Sequence, residues 1–156
     1  MKILVFSDSH KTVADLYDVI EREKPNCVLH LGDHLSDAED LQYAFDKIPF
    51  YCVPGNCDYA PTAPSEILTE LGGVRLFLTH GHFYGVKNGT GRLLEKARSV
   101  GAQVALYGHT HCPSLEMQQG VWLMNPGTSR QGDRQTYGEL CIENGSLRCR
   151  IRKFYE

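Results

Sequence analysis

Aspartate, histidine and asparagine recur in this chain after short apolar runs, in all but the first case beside a glycine. Asp8 and His10 follow the run 2–6, and Gly32-Asp33 ends the run 27–31. Gly55-Asn56 comes after 50–53, His80-Gly81-His82 after 74–79, and Gly108-His109-Thr110-His111 after 103–107. All seven histidines (10, 30, 34, 80, 82, 109 and 111) lie in or beside these places. Each pair alone is weak, because Asp-x-His arises by chance and a lone histidine is more often structural than a ligand. The conjunction is specific. A set of imidazoles and carboxylates suits Mn²⁺, Fe, Zn²⁺, Co²⁺ or Ni²⁺ better than Mg²⁺ or Ca²⁺, which take all-oxygen shells. The neighbouring glycines let the backbone turn tightly where side chains crowd.

Those residues need elements that bring them to one place. Lys2 to Phe6 reads as a buried strand, followed by a helix that Thr12 can cap and that runs to about Lys24, where Pro25 stops it. Cys27 to Leu31 is a second strand, Ala38 to Phe45 a shorter helix, and Phe50 to Val53 a third strand. Ile67 to Leu71 and Val74 to Thr79 form a hairpin around Gly72-Gly73. Leu93 to Val100 is helical and Gln103 to Tyr107 is a buried strand; Trp122 to Asn125, Tyr137 to Glu143 and Ser146 to Tyr155 are strand-like, with Asn144-Gly145 the clearest turn. Strand-helix units followed by strands predict an α/β (α+β) arrangement with a mixed sheet, as two packed sheets flanked by helices. In open α/β sheets, loops beyond the carboxyl ends of the strands converge on one crevice. Five such loops would deliver the polar residues together.

The motifs Asp8-Ser9-His10, Gly32-Asp33, Gly55-Asn56, His80-Gly81-His82 and Gly108-His109-Thr110-His111, with Asn125-Pro126-Gly127, resemble those of the calcineurin-like metallophosphoesterases. The resemblance covers nearly the whole chain and is closest to the small single-domain phosphodiesterases of bacteria and archaea. It implies one domain over residues 1–156 with a four-layer αββα sandwich. It also implies two divalent metal ions, Mn²⁺ first among Ni²⁺, Zn²⁺, Fe and Co²⁺. Carried over by position, Asp8, His10 and His111 would hold one ion, Asn56, His80 and His109 the other, and Asp33 would bridge them. A hydroxide between the ions would then attack a phosphodiester in line, with Asp33, Asn56 and His82 as the catalytic contacts. Adding two divalent ions to the formal net charge of −3 gives +1, so an acidic protein can still attract an anionic substrate at one point.

One position departs from the wider family. Gly55-Asn56-Cys57-Asp58 stands where many members have a histidine after the asparagine to protonate the leaving group. A thiol with a pKa of about 8.5 is a poor proton ferry near neutrality. The same substitution occurs in the small phosphodiesterase branch. It points to diesters with good leaving groups, or to a proton from His82 or water. His82 could equally stand behind a ligand or in a plain polar loop. His30, inside an apolar strand, reads as a hydrogen-bonded core histidine, and His34 as a loop residue at the cleft rim. Asp37 and Asp58 either orient ligands or cap turns. Asn125 to Thr128 would line the site; Arg130 could reach a phosphate but reads more simply as a solvated arginine, Cys57 reads as an inert small residue, and nothing marks Cys112 as a ligand.

Composition narrows the partners. At 156 residues the chain can bury a core without disulfides, and its six cysteines include no C-x-x-C pair. The apolar run Ile3-Leu4-Val5-Phe6 is too short for a signal peptide or a membrane span, which predicts a cytoplasmic protein. The net charge argues against an extended nucleic-acid surface, and Arg148, Arg150, Arg152 and Lys153 read as one solvated strand face. The expected partner is a small phosphodiester or nucleotide-like substrate, and the oligomeric state stays open, a homo-oligomer included. Two other readings compete: a phosphomonoesterase or dinucleotide-polyphosphate hydrolase, and a metal-binding scaffold or assembly subunit without catalysis.

Overall fold

The computed structural model describes residues 1–59, 62–132 and 134–155. Two five-stranded sheets pack face to face. The first carries β1 (Lys2–Phe6), β2 (Cys27–His30), β3 (Phe50–Cys52), β9 (Thr136–Glu143) and β10 (Ser146–Lys153) in the order β10-β9-β1-β2-β3. The second carries β4 (Glu66–Leu71), β5 (Val74–Thr79), β6 (Val104–Leu106), β7 (Ser114–Gln118) and β8 (Val121–Asn125) in the order β4-β5-β6-β8-β7. Each sheet has three parallel strands: β5-β6-β8 lie between antiparallel β4 and β7, whereas β1-β2-β3 run to the sheet edge with antiparallel β9 and β10 on the other side.

The period of two along each strand sorts its residues into layers. Ile3 and Val5 of β1 meet Leu76, Leu78, Val104 and Leu106 between the sheets. Leu4 and Phe6 point the other way, onto Leu16, Val19 and Ile20 of α1 (Val13–Glu23) and Leu41 of α2 (Leu35–Ala44). On the far side, Phe77 and Ala105 pack on Leu93, Leu94 and Ala97 of α3 (Gly91–Ser99). Central strands buried on both faces therefore read as unbroken apolar runs. The layer order is α, β, β, α, the four-layer sandwich expected from the sequence.

Several local expectations shift. Thr12 precedes α1 but does not cap it, because its hydroxyl accepts the Gln131 N–H at 3.1 Å. Helix α2 begins three residues before Ala38, and α3 begins two residues before Leu93. Strand β7 is an addition to the sequence reading, and the last strand stops at Lys153. All three hairpins turn on two residues with positive φ: Gly72-Gly73 (59° and 82°), Gln119-Gly120 (49° and 80°) and Asn144-Gly145 (49° and 76°). That matches the right-handed twist of the strands. Gln119-Gly120 was thus the local signal for β7, whose half-exposed residues lack a dense apolar run. Arg148 and Arg150 are exposed on β10 as expected, whereas Arg152 reaches Glu139 at 3.6 Å. Cys27 is buried, Cys52 and Cys141 only partly so, and all six cysteines are free.

The early start of α2 has a tertiary cause. The Asp58 carboxylate accepts the N–H of Leu35 at 2.8 Å, of Asp33 at 3.1 Å and of Gly55 at 2.7 Å. It satisfies a helix-start donor from another loop and ties the ends of β2 and β3 together. Asp58→Ala strands three donors, so urea unfolding should lose about 2–4 kcal/mol, given charge-assisted bonds of this kind. A change within about 0.5 kcal/mol, the usual range for an uninvolved surface position, would show that the carboxylate does not organise these loops.

Candidate metal centre

The loops that follow β1, β2, β3, β5 and β6 meet at one edge of the sandwich. Backbone bonds stitch them: Asp8 N–H to the Gly32 carbonyl at 3.0 Å, Gly108 N–H to that of His80 at 3.0 Å, and Ser129 N–H to that of Ser7 at 3.1 Å. Gly55 and Gly108 are needed here for close approach rather than for φ. A Cβ on Gly55 would overlap the Asp33 carboxylate, and one on Gly108 the Ser7 hydroxyl. Asp8, His10, Asp33, His109 and His111 all hold left-handed backbone, with φ of 55°, 46°, 59°, 69° and 60°. Such conformations cost L-residues energy and persist where surroundings over-determine them, commonly at functional sites.

Within this frame, lone pairs face one another. Asp8 Oδ2 accepts the Ser7 hydroxyl at 2.6 Å and the His109 N–H at 3.1 Å. Asp8 Oδ1 is buried without a hydrogen-bond donor, 3.1 Å from His111 Nε2, and His10 Nε2 is likewise buried and unpartnered. Ligand atoms of Asp8, His10, Asp33 and His111 all lie within 4.8 Å of one another, a grouping that could hold a metal ion. His80 borders it. Its Nδ1 stands 2.7 Å from the Leu31 carbonyl, which can only accept, so Nδ1 carries the proton. In the neutral ring Nε2 then presents a lone pair, 3.0 Å from Asn56 Oδ1 and 3.5 Å from Asp33 Oδ1. The His109 ring lies 5.1 Å from that of His80. Asp33 sits between the groups, with Oδ1 toward His80 and Oδ2 at 3.9 Å from His10 Nε2. A buried cluster of acceptors without donors is repulsive unless a cation fills it, so the donor set fits divalent metal.

The titrating groups behave accordingly. Burial pushes the carboxyl of Asp8 up, against the pull of His80 and the Ser7 hydroxyl. Burial acts the same way on Asp33, but His80 and the Cys57 N–H (3.0 Å) outweigh it and hold that carboxyl low. Burial lowers His10 and His82, and with His80 and Lys87 it pushes His109 down to about 4. These imidazoles are neutral near pH 7, the form that donates a lone pair.

The other residues singled out in the sequence fall around this centre. His82 stands beside it, its ring 5.4 Å from His80 and 6.0 Å from His109, with Nδ1 buried and unpartnered. His34 lies at the rim, 5.0 Å ring to ring from His10. Asn125 supports from behind, donating to the Gly108 carbonyl at 3.0 Å and to Thr110 Oγ1 at 2.9 Å. The Thr128 hydroxyl donates to the Asp8 carbonyl at 2.9 Å. Arg130, Cys57 and Cys112 are exposed. Ser7 and Ser9, not singled out in the sequence, are both buried and both hold the first loop. Their adjacency to Asp8 was the available signal.

A calcineurin-like phosphoesterase superfamily domain matches residues 1–145. The chain belongs to that family. The probable metallophosphoesterase YsnB of Bacillus subtilis is 31% identical over 156 residues, spanning 97% of this chain and 90% of its own. The phosphodiesterase YfcE of Escherichia coli K12 is 30% identical over 171 residues, spanning 90% and 87%. Among solved structures, a predicted phosphoesterase of Streptococcus pneumoniae superimposes with a TM-score of 0.83 at 28% identity, over 98% of this chain and 89% of that one.

Below the centre, His30 is a core histidine as expected. Its Nδ1 accepts the Gly32 N–H at 3.3 Å, so Nε2–H donates to Ser9 Oγ at 3.1 Å, and the Ser9 hydroxyl in turn donates to Asp37 Oδ2 at 2.6 Å. Asp37 also takes the Lys11 N–H at 2.8 Å, which pins the loop of Asp8 and His10. Burial pushes His30 down to about 4. The unfolded chain binds that proton near pH 6.5, so between about 6.5 and 4 it holds more protons than the native state. The stabilisation is full above pH 6.5 and is lost as pH falls through that window. In urea unfolding of metal-free protein from pH 7 to 4.5, His30→Gln should flatten the decline by up to about 3 kcal/mol. An unchanged slope would assign the acid sensitivity to other groups.

Proposed function

We propose that this protein is a binuclear metal-dependent phosphodiesterase, acting as one domain over residues 1–156. The observation that carries the reading is Asp33, whose two carboxylate oxygens face different histidines, His80 and His10. Asp8, His10, His111 and one oxygen of Asp33 form one ligand group. Asn56, His80, His109 and the other oxygen form the second. When bound, two divalent ions supply Lewis acidity to the phosphoryl oxygens and make a water nucleophilic at neutral pH. Mn²⁺ is our first choice, with Ni²⁺, Zn²⁺, Fe and Co²⁺ suited to the same donors.

The chain's own residues complete the chemistry. Neutral Asn56 leaves the centre more positive than a third carboxylate would. His82, outside both groups, can donate its single ring N–H to a phosphoryl oxygen. Its lowered pKa makes it a hydrogen-bond donor rather than a reservoir of protons near pH 7. Burial and the neighbouring Asp33 raise the Cys57 thiol, so it keeps its proton and cannot ferry one. Leaving groups that need little protonation are therefore preferred, which favours diesters with acidic alcohols. The name of YfcE, a phosphodiesterase, agrees with this preference.

Metal-stripped protein reconstituted with Mn²⁺, Ni²⁺, Zn²⁺ or Mg²⁺ should bind two ions per chain and hydrolyse bis(p-nitrophenyl) phosphate faster than p-nitrophenyl phosphate. Asp33→Ala should lower diester turnover by about a thousandfold and reduce the bound metal measured by elemental analysis. Monoester turnover equal to or above diester turnover would instead make the protein a monoesterase. Full metal loading without any turnover would leave a scaffold.

A further inference from the structure

Two cavities adjoin the acceptor cluster, one at His34 and Cys57 and the other at His111, and their described walls differ in charge. One, of about 410 Å³, is lined by His34, Cys57, Tyr59 and the carboxylates Glu39 and Asp58, with no lysine or arginine among the described residues of its wall. The other, of about 890 Å³, begins at His111 and Thr128 and extends to Arg134, Gln135, Lys153 and Tyr155, with no carboxylate among the described residues of its wall. That volume accommodates a nucleotide-sized group. Among the described residues neither Arg134 nor Lys153 forms an ion pair. The wall behind them is tethered: the Gln135 amide donates to Asp15 Oδ2 at 2.8 Å, and the Tyr155 hydroxyl donates to Asp15 Oδ1 at 3.1 Å. Asp15 stands behind the cavity with both oxygens engaged. The Tyr155 ring remains 72% exposed, so its face is open to a planar partner.

Resting on the phosphodiesterase reading above, we propose that the larger cavity is a substrate subsite for a nucleotide arm that carries a second phosphate. The scissile phosphate lies over the cluster, and one arm passes His111 into the cavity. There the base stacks on Tyr155, and the extra phosphate meets Arg134 and Lys153. The other arm lies on the Cys57 side, where Glu39 and Asp58 disfavour a second anion. The described walls, Arg134 and Lys153 on one side and Glu39 and Asp58 on the other, thus orient an asymmetric diester across one centre. A broad basic surface is unnecessary, which agrees with the net charge of −3.

The test compares adenosine 3′,5′-bisphosphate with adenosine 5′-monophosphate by isothermal titration into Mn²⁺-treated protein. The bisphosphate should bind about tenfold more tightly, the sum of two partly exposed charge contacts. Arg134→Ala with Lys153→Ala should abolish that advantage. Arg148→Ala with Arg150→Ala removes the same charge from the exposed face of β10 and should keep it. Tyr155→Ala should weaken both nucleotides alike. Equal affinity for the two nucleotides, an advantage that survives loss of Arg134 and Lys153, or no binding of either would overturn the subsite. Hydrolysis of bis(p-nitrophenyl) phosphate, measured beside it on unaltered protein, reads the phosphodiesterase activity separately, because the titration does not need turnover.

Discussion

Lone pairs do not gather in a buried space unless something behind them holds them there. In this protein three of the acceptors at the edge of the sandwich are gripped from the rear. Asp8 is held through Oδ2 by Ser7 and the His109 N–H, Asp33 through the Cys57 N–H, and His80 through the Leu31 carbonyl. For Asp8 and His80 the rear contact uses one polar atom and leaves another aimed inward, whereas Asp33 Oδ1 both accepts the Cys57 N–H and faces His80. For His80 the rear contact also decides the tautomer, and with it which nitrogen can bind a cation. Removing a rear partner would free the side chain to rotate and find water, and the repulsive arrangement would relax.

The backbone bears part of the cost. Five of the inward-facing residues stand in left-handed conformation, although none is a glycine. Strain of this kind is on the order of 1–3 kcal/mol per residue and is held by the surrounding contacts. The contacts that hold it belong to rigid elements: parallel strands buried on both faces, and the loops that join them by hydrogen bonds. The carboxylates of Asp37 and Asp58 repeat the same device one layer further out, Asp37 accepting one backbone N–H and Asp58 three. A cation at the centre would offset both the strain and the lone-pair repulsion, so metal binding and loop order should be coupled.

The two halves of the sandwich contribute unequally. The first sheet supplies Asp8, His10, Asp33 and Asn56 from the ends of β1, β2 and β3, and the second supplies histidines from the ends of β5 and β6. Carboxylates and amide thus come from one sheet, imidazoles mostly from the other. The seam between the sheets becomes the place where unlike ligands meet. The two adjoining cavities inherit different charges from the elements that wall them: α2 for one, the C-terminal end of β10 for the other.

Much of this was legible in the chain before folding was considered. The short apolar runs alternating with helical segments, the two-residue turns at Gly72-Gly73 and Asn144-Gly145, and the clustering of histidine at strand ends are local facts, and they were enough for the layers and the polar set. What the sequence could not show depends on atoms distant along the chain. The start of α2 is set by Asp58, 23 residues beyond Leu35, and the hydroxyl of Thr12 is claimed by Gln131, 119 residues away. Edge strand β7 forms because β8 offers it a partner, not because its own residues are strongly apolar. Gly55 and Gly108 have ordinary φ, so their need for a missing Cβ appears only when Asp33 and Ser7 are packed against them. Residue types and their periodicity determined which groups could do chemistry. Only the tertiary hydrogen bonds decided which atom of each group faces inward, because a side chain's free lone pair is whatever its neighbours leave unused.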